Sequence, residues 1–138
     1  MKKILFLCVA NSARSQMAEG LAKNLLNKEF SIHSAGSKPS SVNPYAVKVM
    51  KEIGIDISNQ KSKSVSDFNI NDFDFVITLC AEEICPYVES KATLLHWPFP
   101  DPAENNLNDP EQSFKLFSKV RDEIKDKIKN YFISSKNN

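Results

Sequence analysis

The chain has 138 residues, 41% of them hydrophobic, with 18 Lys and Arg against 17 Asp and Glu for a formal net charge of +1. That size and balance suit one globular domain spanning residues 1–138, and a near-neutral charge gives no electrostatic reason to expect nucleic acid or an anionic membrane as partner. The apolar run after Met1, Lys2 and Lys3 breaks at Asn11 without a small-residue cleavage site, and no stretch nears the ~18 apolar residues of a membrane span, so a cytoplasmic protein is expected.

Residues 3–7 (ILFL after Lys3) read as a short buried strand. Residues 16–26 carry apolar side chains at 17, 18, 21, 22, 25 and 26, the three-to-four spacing of a helix. Residues 30–34 alternate as a second strand and end at an Ala35-Gly36 turn; His33 within it reads as a structural strand residue. Asn43 as cap, Pro44 in the first turn and Gly54 as stop delimit a helix over residues 44–53, with residues 55–58 as a connector. The polar, serine-rich residues 61–72 predict a loop with at most one helical turn, near the functional face. A β-branched strand follows over residues 74–79, and another over 92–96. From Asp109 to Phe132 apolar residues at 114, 116, 117, 120, 124 and 128 predict a final amphipathic helix, with a fraying tail after it. No internal repeat, linker or metal-ligand spacing is visible, so no metal and no cofactor are expected.

The chemistry concentrates at the first strand-to-helix junction, Cys8-Val9-Ala10-Asn11-Ser12-Ala13-Arg14-Ser15. Such a loop places a thiol at a strand's carboxyl end and points backbone N–H groups into a concavity at a helix N-terminus, which favours an anion. A helix N-terminus and a neighbouring guanidinium both favour a thiolate, and Arg14 adds a planar fork for two oxygens of a phosphate-like ligand. The blander reading makes Cys8 a small core residue and Ser15 an N-cap. An arginine six residues after the cysteine, at such a junction, favours the chemical one. Cys80 ends a later strand as Cys8 ends the first, so in an open parallel sheet both thiols open on the same edge. Cys85 follows five residues on, before Pro86. Three cysteines, an odd number, in a reducing compartment argue for reactive thiols rather than a disulfide framework. Asp101, in the loop Trp97-Pro98-Phe99-Pro100-Asp101-Pro102-Ala103, reads as a general acid able to protonate a departing oxygen; alone, it would read as a turn-forming aspartate before proline. Trp97 and Phe99 read as loop anchors.

Cysteine, five residues, then Arg-Ser directly after the first strand resembles the signature of the low-molecular-weight tyrosine phosphatases and of the arsenate reductases that share their fold. The run from Asn11 to Gly20, the Val-Ile-Thr-Leu-Cys ending at Cys80, and His-Trp-x-Phe-x-Asp-Pro-Ala from His96 to Ala103 are similar to the reductase branch. The resemblance implies a four-stranded parallel sheet in the order 2-1-3-4 with helices on both faces. It implies arsenate as substrate, held by the loop of residues 9–15 and by Arg14, and attacked by Cys8 while Asp101 protonates the leaving oxygen. Cys80 would then attack Cys8, and Cys85 would attack Cys80, leaving a disulfide for thioredoxin or for glutathione with glutaredoxin. The alternatives are a tyrosine phosphatase, which needs only Cys8, Arg14 and Asp101, and a non-catalytic oxyanion-binding or redox-sensing module.

Three departures from the family pattern carry expectations. Ala13 stands where reductase loops often hold a second cysteine. Only four residues separate Cys80 and Cys85, where thioredoxin-coupled members usually have six, which leaves both reductants open. In one regular helix these two Cα atoms would lie about 8.6 Å apart, beyond the ~7 Å a disulfide tolerates, so oxidation is expected to reshape residues 80–88. Finally, some members bind potassium behind the loop through positions matching Asn11, Glu19 and Ser34 plus an aspartate, and here Lys63 takes the aspartate's place, so no cation site is expected.

Overall fold

In the computed structural model, residues 1–80, 91–103 and 109–133 are described. Four strands, β1 (Lys2–Cys8), β2 (Phe30–Gly36), β3 (Phe75–Thr78) and β4 (Thr93–His96), form one sheet in the order β2-β1-β3-β4. Every pair is parallel, so all four strands end on the same edge. Central β1 is covered on both faces, which is why its sequence is a continuous apolar run rather than an alternating one. Ile4 and Phe6 point into the larger core with α1 (Arg14–Leu25), α2 (Pro44–Glu52) and α3 (Pro110–Ile128). Leu5 and Leu7 face the other way, joining Ala35, Phe73 and Val76. Truncating a side chain as buried as Phe6 to Ala typically costs about 3–5 kcal/mol.

Local signals set most of the boundaries. Asn43 Oδ1 accepts from Tyr45 N at 2.9 Å with Pro44 next to it, and Gly54 (φ +80°) terminates α2. Asp109 Oδ1 likewise accepts from Glu111 N at 3.0 Å to start α3. That helix ends at Ile128, and the expected continuation to Phe132 is instead a π-helical turn, Lys129–Ile133, seating Phe132 against Phe30, Phe75 and Trp97. Three further expectations are corrected. Helix α1 starts at Arg14, two residues early, with no side-chain cap, so Ser15 is not the N-cap. Residues Ala35 and Gly36 are strand rather than turn, because Gly36 pairs with Cys8. The polar loop holds two 3-10 turns, Val65–Asp67 and Ile70–Asp72, each started by a side-chain cap from Ser64 or Asn69. With Val65, Phe68 and Ile70 they cover the Leu5 and Leu7 side of the sheet, while the three described α-helices share the opposite side. Cys85, the segment expected to reshape on oxidation, and the tail lie outside the described residues. Among the described residues no helix is long and apolar enough to cross a membrane.

His33 packs between the rings of Phe68 and Phe73, with centroids 5.8 and 5.5 Å away, and its Nε2 lies 2.8 Å from Ser31 Oγ. Burial holds its pKa below the ordinary 6.5; Glu19 opposes that shift, and Lys3, Lys23 and Lys63 reinforce it. The unfolded chain therefore takes up this proton at a higher pH than the folded one. Its contribution to stability is complete above pH ~6.5 and is lost as pH falls from there toward the lowered folded value. His33→Phe should flatten that part of the profile, as urea midpoints at pH about 7.5 and about 5 would reveal. An unchanged slope would assign the acid sensitivity to other groups.

Candidate active site

The loop between β1 and α1 is shaped by where its carbonyl groups go. Val9 O accepts from Lys38 N (2.9 Å), Ala10 O from Ser40 N (3.0 Å) and Ser12 O from Asn43 N (3.0 Å), all on the strap that follows β2. Asn11 O accepts from Ser62 Oγ (2.6 Å) and Gln16 Nε2 (3.0 Å). Because a planar trans peptide sets its N–H opposite its C=O, these outward carbonyls turn the N–H groups of Ala10, Asn11, Ser12 and Ala13 inward. The result is an anion nest beside the N-terminus of α1. Asn11 sits at φ +47°, the left-handed region that asparagine tolerates better than most residues.

Behind the nest runs a chain of hydrogen bonds whose direction is set by its acceptors. Asn11 Oδ1 receives Lys63 N (2.8 Å) and Gln16 Nε2 (3.0 Å), which fixes the amide's orientation. Its Nδ2 then donates to Ser15 Oγ (2.8 Å) and Ser34 Oγ (2.9 Å), and Ser34 donates to Glu19 Oε1 (2.6 Å). Having accepted from Asn11, Ser15 has its hydroxyl hydrogen left for Cys8 Sγ, 2.9 Å away. The buried, free Cys8 thus has the Ser15 hydroxyl within hydrogen-bonding distance of its sulfur. Glu19 also meets Lys23 Nζ (2.7 Å) and Lys63 Nζ (3.4 Å), and the latter bonds Lys61 O (2.6 Å). With an ammonium already at Glu19 and Asn11 Oδ1 engaged by two donors, these residues do not fit a potassium ion.

Cys8, Val9, Ala10, Ser12, Ala13, Arg14, Asp101 and Ala103 line a cavity of about 220 Å³. Asn11 and Ser15, expected to hold the oxyanion, stand behind this wall with their side chains buried. A larger cleft of about 1100 Å³ lies between α2 and α3, but among the described residues it is lined by neither a thiol nor a histidine. Arg14 is buried; its Nη1 donates to Phe99 O (3.0 Å) and more weakly to Leu79 O (3.5 Å), which ties the ends of β4 and β3 to the loop. Its Nη2 lies 3.8 Å from Asp101 Oδ2, while Asp101 Oδ1 accepts from Ala103 N at 3.0 Å. Asp101 therefore both makes a turn and presents a carboxylate oxygen to the cavity. Trp97 and Phe99 are buried anchors, and Phe99 acts on the site through its carbonyl.

Leu79 N donates to Leu7 O (2.9 Å), so the β1 and β3 ladder continues past Thr78 and sets buried Cys80 at the sheet edge that ends at Cys8. Cys80 is disulfide-bonded, whereas Cys8 is free. Gln16, Gly36, Gln60 and Ser62 drew no functional expectation, yet each touches the loop or the side chain that orders it.

The sequence profile of the low molecular weight phosphotyrosine protein phosphatases matches residues 3–138. An arsenate reductase of Halalkalibacterium halodurans is 47% identical over 132 residues, covering 94% of each chain. One from Bacillus subtilis is 46% identical with the same coverage. Among solved structures, an arsenate reductase in the phosphate binding state superposes with a TM-score of 0.74 at 38% identity, over 94% of this chain and 95% of the other.

Proposed function

The chain belongs to the low molecular weight phosphotyrosine protein phosphatase family, and from that membership we propose that it is an arsenate reductase contributing to arsenic detoxification. The observation that carries the reading is a second cysteine, Cys80, at the carboxyl end of the strand next to the one that ends in Cys8. A phosphatase has no use for that thiol. Arsenate occupies the nest, its charge met by inward N–H groups and Arg14. Cys8 thiolate attacks arsenic, an As–O bond breaks, and Asp101 gives its proton to the departing oxygen. Cys80 thiolate then attacks Cys8 Sγ; the S–As bond breaks, its electron pair stays on arsenic, and arsenite leaves a Cys8 to Cys80 disulfide. Cys85 thiolate attacks Cys80 Sγ and frees Cys8. A free Cys8 beside a disulfide-bonded Cys80 accords with that last state. Thioredoxin, or glutathione with glutaredoxin, supplies the two electrons that close the cycle.

The test is a thiol count on reduced protein given one equivalent of arsenate, with phosphate as control. Loss of two thiols per arsenite released is expected. Steady hydrolysis of an aryl phosphate without thiol loss would replace the reading with a phosphatase. Running the cycle with each reductant in turn assigns the donor. Because the Lys63 ammonium stands at Glu19, turnover should respond equally to sodium and potassium at matched ionic strength. A selective several-fold activation by potassium would contradict the role given to Lys63.

A further inference from the structure

Among the carbonyl groups of Val9, Ala10, Asn11 and Ser12, three are held outward by main-chain N–H groups, which no substitution except proline removes. Asn11 O alone of the four depends on side chains, those of Ser62 and Gln16. These two donors are unequal. Gln16 Nε2 has two hydrogens for three acceptors, Asn11 O (3.0 Å), Asn11 Oδ1 (3.0 Å) and Lys61 O (2.9 Å). Ser62 brings one hydroxyl hydrogen to one acceptor at 2.6 Å. The peptide it holds joins Asn11, in the left-handed region, to Ser12, which lines the cavity.

We infer that Ser62 is a positioning residue for the oxyanion loop, latching the Asn11 carbonyl outside so that the Ser12 N–H stays aimed at the bound anion. The inference rests on the reading of the loop as the arsenate site. Without the hydroxyl, the Asn11 carbonyl keeps only a share of the Gln16 amide, and the peptide can rotate. Rotation removes a donor from the pocket and puts an oxygen lone pair in its place, facing an anion. Ser62 itself is steadied from the sheet, because Gly36 N donates to Lys63 O at 2.9 Å and Gly36 bridges to Ser64. The latch thus couples the end of β2 to the anion nest through Ser62, which lies 51 residues from Asn11 in sequence.

The experiment compares the wild-type protein with Ser62→Ala and Ser62→Thr, the latter keeping the hydroxyl. Phosphate affinity is read from the amide resonances of the loop, and Cys8 reactivity from alkylation by anionic iodoacetate and neutral iodoacetamide. Ser62→Ala should weaken phosphate binding about ten-fold, the worth of one hydrogen bond of this kind. It should raise the KM for arsenate similarly with a much smaller change in kcat, and lower the ratio of iodoacetate to iodoacetamide rates. Ser62→Thr should restore all three. If Ser62→Ala does not fold, Ser62→Cys, a weaker donor, replaces it with the same expected direction. Unchanged phosphate affinity and alkylation ratio in a folded variant would overturn the latch. A wild-type loop whose amides ignore phosphate would instead overturn the arsenate site, a separate outcome.

Discussion

Cys8→Ser should leave no measurable arsenate reduction, a loss on the order of 10⁴-fold or more. Among the described residues Cys8 supplies the one thiol in the wall of the 220 Å³ cavity, and a serine hydroxyl there is neither ionised at neutral pH nor able to form a disulfide. Cys80→Ser should stop turnover as completely but at a later point, after arsenic has been taken up. The two variants separate by mass spectrometry: Cys80→Ser should carry a labile arsenic adduct on Cys8, and Cys8→Ser none. Arsenite release by Cys80→Ser at the wild-type rate, with either reductant, would sink the relay and leave arsenic reduced by external thiol alone.

Gly36→Ala is expected to be damaging too, although no chemistry is assigned to that residue. A Cβ at position 36 would lie 2.4 Å from Val9 O, 2.9 Å from Asn11 N and 3.0 Å from Cys8 O. All three are backbone atoms of the loop, so no flexible side chain can yield in their place. Either the end of β2 leaves the sheet or the loop moves by a sizeable fraction of an ångström. Displacements near 1 Å can cost about 100-fold in rate, and overpacking of this kind about 1–3 kcal/mol. The variant should therefore lose arsenate turnover about 100-fold and unfold at lower denaturant. Wild-type kcat/KM with a lowered unfolding midpoint would show that β2 yields rather than the loop.

How much of this was legible depended on the range of the interaction. Strand β1, the helix from Pro44 and the helix from Asp109 announce themselves through adjacent residues, and the structure follows those signals. The 3-10 turns were signalled too, by Ser64 with Asp67 and by Asn69, but they were submerged in a polar segment whose composition suggested loop. Gly36 misled because glycine commonly marks a turn, while here it permits a close approach between β2 and residues near Cys8. Ser15 looked like a cap and is engaged by Asn11 and Cys8. The contributions of Gln16, Gln60 and Ser62 rest on contacts across 44 to 51 residues, and no local pattern encodes them. The cysteine, arginine and aspartate that meet at the cavity were visible because the chemistry restricts which side chains can serve there.

The inward N–H groups and the Arg14 guanidinium also bear on how the product gets out. In the proposed cycle arsenate enters as an anion, and a nest of fixed dipoles beside a buried cation would hold it by charge. Arsenous acid is uncharged at neutral pH, and once the S–As bond breaks nothing covalent retains it. The step that reduces arsenic in that cycle thus also abolishes the attraction that kept it in place, so the change of charge itself favours discharge.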